Sequence, residues 1–254
     1  MKSLTITKLN RSELKSFIRT LLNISEKVYF SISQDGVRTG MYTQSHDTAM
    51  IKRIELKKMM EIDGQFDEVR IGLFKDVPER LLKYLENFDS DTLKCTVKFF
   101  QMRGDNVNYA QSIELKDKGL KMNIFCQDPA LGYVCLTPEQ EKIAFDDANS
   151  FFAFDLDRET LIKINSLLGF IKEPKALIKF EVEDDGLHIS TDIFDLLVDP
   201  SVTNKTSGVS RVFRETFDRL PIESYKCKIF KRKIILVSTE SETRIAINLT
   251  EKDA

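Results

Sequence analysis

With 254 residues, of which 42% are hydrophobic and 31% charged, the chain is long enough for two domains of ordinary size, each able to bury its own core. Thirty-eight basic and forty acidic residues leave a net charge of −2, which excludes a polycation. Affinity for nucleic acid would have to come from how charge is distributed, not from its total.

The opening "MKSLTITKLNRSELK" has no apolar core of signal-peptide length, and no later stretch approaches about 18 apolar residues. The expectation is a cytoplasmic protein, neither secreted nor membrane-bound. Cys95, Cys126, Cys135 and Cys227 show no CxxC spacing, which fits reduced thiols better than a disulfide framework. No second ligand pair turns Cys126 and Cys135 into a zinc site, so no metal and no cofactor are expected.

Alternation predicts a strand over 3–9. Asn10 with Glu13 three positions on resembles a capping box. Leu14, Phe17, Ile18, Leu21 and Leu22 then give the spacing of a helix with one buried face. Strands are predicted over 27–33, 36–43 and 48–56, with "SQDG" as the first turn, and again over 68–74. A second helix is predicted from Asp76, with Pro78 in its first turn, Glu79 closing another capping box, and Val77, Leu81, Leu82, Leu85 and Phe88 on its buried side. Strands at about 92–100, 107–115 and 119–126 complete the first half.

Residues 127–150 carry two prolines, mixed charge and no clean period, and read as a connector. The second half offers a strand over 151–156, a helix over 157–169 and a strand over 176–183. A "DDG" turn and strands over 187–190 and 194–199 follow. Val209, Val212, Phe213, Phe217 and Leu220 predict a fourth helix ending at Pro221, and three strands finish the chain.

The halves echo one another. "LNRSELKSFIRTLLNISEKVYFSISQDGVRT" (9–39) returns as "LDRETLIKINSLLGFIKEPKALIKFEVEDDGLHI" (156–189). At a constant offset, Leu81, Leu85, Phe88, Lys94 and Cys95 fall on Phe213, Phe217, Leu220, Lys226 and Cys227. Such repetition predicts two copies of one α+β unit: a first domain over 1–127, a connector over 128–148 and a second domain over 149–254.

This order of elements, given twice around a connector, resembles the DNA sliding clamps over essentially the whole chain. "VFRETFDRLPIESYKCKIF" is similar to the clamps of T4-type phages. "DGVRTGMYTQSHDTAMIKRIEL" is similar to the matching region of the proliferating cell nuclear antigens, histidine included. The resemblance implies helices lining a channel, antiparallel sheets outside, and a homotrimeric ring. It also implies a processivity factor that encircles double-stranded DNA of any sequence and serves a DNA polymerase and a clamp loader, in a host cytoplasm if the source is a phage.

On that expectation the first helix supplies the strongest phosphate-facing signal, with Arg11, Lys15 and Arg19 at i, i+4, i+8 opposed by Glu13 alone. Replacing all three is expected to leave folding intact, since none belongs to the apolar arc. Arg80 and Lys83 in the second helix, Arg158 and Lys163 in the third, and Arg211 and Arg214 in the fourth are further candidates. The alternative for the stripe is an ordinary solvated face.

By resemblance, the subunit interface falls on Leu120, Met122 and Ile124 of one edge strand and on Ile193, Leu196 and Val198 of another; the other reading, which must hold for some of them, is that these are internal core positions. A partner-peptide pocket would use Tyr42, His46, Leu131, Tyr133 and Val134. The other readings are that His46 closes a strand turn and that 131–134 pins the connector.

An enzyme is not expected. There is no Gly-rich phosphate loop, HExxH or GxSxG, and His46 and His188 have no nucleophile at a suggestive spacing. The acidic runs 145–148 and 181–186 read as connector charge and a turn. The remaining rivals are a DNA-binding polymerase processivity subunit that does not close a ring, and a scaffold.

Overall fold

The computed structural model of the chain describes residues 2–74, 76–101, 107–127, 135–148, 150–202 and 209–250. They divide into two compact units. Met1–Gln44 with Ile51–Leu136 form the first, and Ser45–Met50 with Thr137–Ala254 form the second.

The first unit runs β1 (Lys2–Asn10), α1 (Arg11–Leu22), β2 (Val28–Ser33), β3 (Gly36–Tyr42), part of β4 (Thr48–Ile54), α2 (Leu56–Met59), β5 (Met60–Ile62), β6 (Val69–Leu73), α3 (Val77–Glu86), β7 (Thr92–Gln101), β8 (Asn108–Asp117) and β9 (Leu120–Phe125). Within it strands pair in the order β3-β2-β6-β8-β7-β1-β5, with β9 also on β8. All these pairings are antiparallel except the short β6–β8 contact.

Strict alternation in β7 explains its place. Leu93, Cys95, Val97 and Phe99 are buried while Thr92, Lys94 and Lys98 face water. Phe17, Ile18 and Leu21 of α1 are fully buried on this sheet, and Phe17 meets Phe30 edge to face at 5.5 Å. Each such side chain contributes about 1.5–3 kcal/mol by leaving water.

The second unit adds α4 (Pro138–Ala144), β10 (Phe152–Leu156), α5 (Arg158–Leu168), β11 (Leu177–Glu183), β12 (Gly186–Ser190), β13 (Asp195–Asp199), β14 (Ser210–Phe213), α6 (Arg214–Phe217), β15 (Tyr225–Ile229), β16 (Lys233–Ser238) and β17 (Glu242–Asn248). Strands pair in two runs, β10-β15-β16-β17 and β13-β12-β11-β14, all antiparallel. The core centres on Phe154, Phe180 and Phe217, whose ring centroids follow one another at 6.2 and 6.1 Å.

The repeat is structural as well as sequential. In each unit the strand before the long helix α1 or α5 pairs with the strand after the last helix, α3 or α6, placing Ile6 opposite Cys95 and Phe154 opposite Cys227. Both cysteines are buried free thiols. Gly36 and Gly186 open equivalent strands at φ 138°, and a Cβ there would lie 2.4 Å from the Ile54 carbonyl oxygen or 2.5 Å from that of Asp199. Only glycine admits both that φ and that approach.

Four expectations change. The fourth helix, expected over 209–220, is strand β14 followed by the single turn α6, because 210–213 pairs with β11 just as β6 pairs with β2. Phe213 therefore matches a strand end and not the helical Leu81.

The Asp76–Glu79 capping box does not form. Asp76 has helical φ and ψ, which turn its carboxylate away from the first-turn amides, and it pairs instead with Arg80 at 3.0 Å. The strand expected over 48–56 ends at Ile54, and α2 and β5 follow. The connector contains α4, opened by a complete Thr137–Gln140 capping box. None of its residues is buried, which explains its lack of apolar period.

Candidate nucleic-acid interface

The basic stripe of α1 is set by the helix's own start. The Asn10 side chain accepts from the Glu13 amide at 3.2 Å, fixing the phase that turns Leu14, Phe17, Ile18 and Leu21 inward and leaves Arg11, Lys15 and Arg19 on one line. That line runs along α3. The Arg11 guanidinium donates to the carbonyl oxygens of Phe88 and, at 3.5 Å, Leu85, and lies 3.2 Å from the Asp91 carboxylate. Lys15 and Arg19 both reach Glu86, at 3.3 and 3.5 Å.

The stripe is thus opposed by Glu86 and Asp91, a correction to the expectation that Glu13 alone opposes it. Nothing in the sequence pointed to these partners, which stand 67 to 80 positions away. Arg11 supplies donors to carbonyls at the end of α3 that no helical amide can reach. Its side chain therefore holds backbone as well as carrying charge. Two cations sharing one carboxylate leave the Lys15–Arg19 end positive. Arg19 is well exposed, so its charge is available to an anion.

The other candidates are placed as follows. Arg80 pairs with Asp76, and Lys83 is exposed with no ion pair among the described residues. Arg158 grips both oxygens of Glu240, which also accepts from the Ser224 amide at 2.8 Å. The Ser224 hydrogen bonds, then Arg158, hold the Glu240 carboxyl below the usual range. Lys163 is exposed and makes no ion pair among the described residues.

Arg211 lies on β14 rather than on a helix, and Arg214, at the start of α6, pairs with Asp218 just beyond its end at 3.1 Å. Both have a buried Nε without a partner among the described residues. The helical line expected through Arg211 and Arg214 does not exist.

Tyr42 ends β3 in the first unit, where the backbone of 135–136 lies against Gly40 and Met41. His46 belongs to the second unit. It adopts φ 58° in the turn before β4, and its carbonyl accepts from the Asn248 side chain at 3.0 Å. Leu131, Tyr133 and Val134 fall outside the described residues.

Of the proposed interface positions, Leu120 and Met122 are exposed and half-buried on β9, which pairs only with β8 among the described strands. Ile124 is a core residue of the first unit, a correction that follows from its place opposite Ile113. Ile193 is well exposed, and Leu196 and Val198 are half-buried on or beside the edge strand β13. Near β9, Glu114 bonds Lys116 and Lys121 at 2.6 and 2.7 Å, which holds its carboxyl down to about 2. No helix among the described residues is long and apolar enough to cross a membrane.

This architecture is the sliding-clamp fold, an α+β chain built from two sheet-rich repeats. A proliferating cellular nuclear antigen from Entamoeba histolytica matches with a TM-score of 0.68 and 12% identity, over 99% of this chain and 98% of that one. The proliferating cell nuclear antigen of A. fulgidus, solved with the C-terminal region of FEN-1 bound, matches with a TM-score of 0.66 and 11% identity, over 99% of both chains. The β chain of DNA polymerase III from Streptococcus pneumoniae matches with a TM-score of 0.65 and 13% identity, over 100% of this chain but 66% of that one. No family model matches, and no curated protein does.

Proposed function

We propose that the chain is a sliding clamp. As a homotrimer with six similar domains, it would encircle double-stranded DNA without regard to sequence and tether a DNA polymerase after loading by a clamp loader. The observation that carries this reading is a full-length likeness to two-domain clamps, 99% of each chain against the A. fulgidus antigen, together with a basic line on the first helix. The domains would be 1–127 and 149–254 with 128–148 as connector. Leu120 and Met122 of one subunit would meet Ile193, Leu196 and Val198 of the next. Tyr42 and His46, with Leu131, Tyr133 and Val134, would receive an apolar partner peptide.

The physical logic needs no active site. A closed ring cannot leave its track, so each cation–phosphate contact can be weak and the assembly can still slide. The near-neutral total charge supports a ring over a non-ring processivity subunit, which would need strong direct affinity.

The test is topological. Loaded onto nicked circular DNA, the protein should stay bound through a salt wash and be lost once the circle is linearised. Its solution mass should be three times that of the chain. A monomer, or retention indifferent to linearisation, would refute the ring.

A further inference from the structure

His188 on β12 sits among acceptors it can satisfy in only one protonation state. β12 sends Leu187 and Ile189 into the core of the second unit and His188 to the other face. There Nδ1 lies 2.8 Å from the Asp195 carboxylate on β13, and Nε2 lies 2.9 Å from the Asp185 carboxylate in the turn before β12. Carboxylates only accept, and a neutral imidazole has one N–H, so both bonds together require a second proton. An imidazole competes for that proton far better than a carboxyl, by ordinary values of about 6.5 against about 3.9.

The surroundings favour the cation. Glu181 stands opposite His188 on β11, and Glu183 lies within 4.8 Å of the ring and of Asp185. Asp184 shares the turn, and Lys179, opposite Ser190, is the basic group facing this patch from β11. The ring is 12% exposed, while the Asp185 and Asp195 side chains are 64% and 56% exposed, so the two direct bonds count for more than the wider field of charge. The bond to Asp195, then that to Asp185, raises the His188 pKa against the opposing effect of burial.

The place matters because β13 is, among the described strands, an edge strand, and it has a fault in it. Leu187 pairs with Asp199 but His188 pairs with Leu197, so Val198 is an extra residue bulging from the ladder. At that fault the side-chain bonds of His188 add to a weakened backbone ladder.

We propose that His188 is a protonated strap that fastens edge strand β13 to β12 and makes docking of a second copy of this chain along that edge depend on pH. The second half of this rests on the reading of β13 as a subunit edge. Because the folded pKa is raised, the strap is complete below the ordinary value of about 6.5 and is lost as pH rises through the raised one. It persists in acid until Asp185 is protonated, below its ordinary range.

The chain has two histidines, so NMR titration of the full-length protein resolves both. His188 should titrate above about 6.5 and fall toward that value in Asp195→Asn. Amide protection over β13, corrected for intrinsic exchange, should drop about threefold or more between pH 6 and 9, and be flat in His188→Gln. Sedimentation should show association weakening over the same range. A His188 that titrates at or below 6.5, or β13 protection indifferent to pH in the native chain, overturns the strap whatever the mass. A high His188 pKa in a chain that stays monomeric at every pH overturns the subunit-edge reading and leaves the strap standing.

Discussion

The helices α1 and α5 are the same device with different outer faces. Asn10 and Asp157 each accept the amide of the third residue on, Glu13 and Thr160. From those caps the same steps bury Leu14, Phe17 and Leu21 in one helix and Leu161, Ile164 and Leu168 in the other. The faces then part. Arg11, Lys15 and Arg19 correspond by position to Arg158, Ile162 and Ser166, and Ile162 is 51% exposed. Positions that answer to packing or backbone geometry match between the copies, whereas those that answer only to solvent do not. A basic surface is therefore a property of the first copy, laid over a fold that both share.

The sharpest way to break this comparison is through the cores, where the copies should respond alike. Leu21→Ala and Leu168→Ala, at the same step after their caps, each remove a fully buried leucine. Each should cost about 2–5 kcal/mol in denaturant unfolding, and a large disparity would show that the two cores are not equivalent. The turn glycines come next. Gly36→Ala and Gly186→Ala force the same φ on a side chain that meets backbone oxygen, so each should cost about 1–3 kcal/mol from the backbone alone. If alanine were accepted at either, the paired geometry of the two hairpins would be wrong.

Arginine is where the copies should differ. Arg11→Ala strips carbonyls at the end of α3 of a charged donor and should cost about 1–3 kcal/mol. Arg158→Ala breaks a half-exposed pair with Glu240 and should cost no more than about 1 kcal/mol. Equal losses in thermal or denaturant melts would mean that Arg11 is no more structural than its counterpart.

Much of the fold was legible because it is written in local periods. The strand alternation of 92–101, the helical arc of 14–21 and the acid–Gly turns at 35–36 and 185–186 each depend on neighbours in sequence. What was not legible depended on distant partners. Val212, Phe213 and Phe217 fit a helix by spacing, and only the ladder to β11 decides that 210–213 is a strand. The charge partners of the stripe, Glu86 and Asp91, are a second helix and a turn away in space. The Thr137–Gln140 box, by contrast, was a local signal and could have located α4 without any structure. His188 shows both sides. Its strand was predictable, but the pairing that brings Asp195 to its ring is set by β13 and its bulge.

The smallest expected effect is also the one most specific to the asymmetry. Lys15 and Arg19 share Glu86 and bury no part of the apolar arc, so Lys15→Ala with Arg19→Ala should change stability by less than about 0.5 kcal/mol per site. If this end of α1 faces phosphates, the pair should still lower the slope of log affinity against log salt by about one for each cation removed, measured on duplex DNA by fluorescence anisotropy. The converse substitution tests the other copy. Ile162 occupies the position of Lys15 and is already exposed, so Ile162→Lys costs little burial and should steepen the slope by about one. A slope that responds in the first copy and in the engineered second copy would place both helices against DNA. One that responds in the first alone would confine the track to α1. If neither variant moves it, the basic line is an ordinary solvated face, and the difference between the copies carries no consequence for nucleic acid.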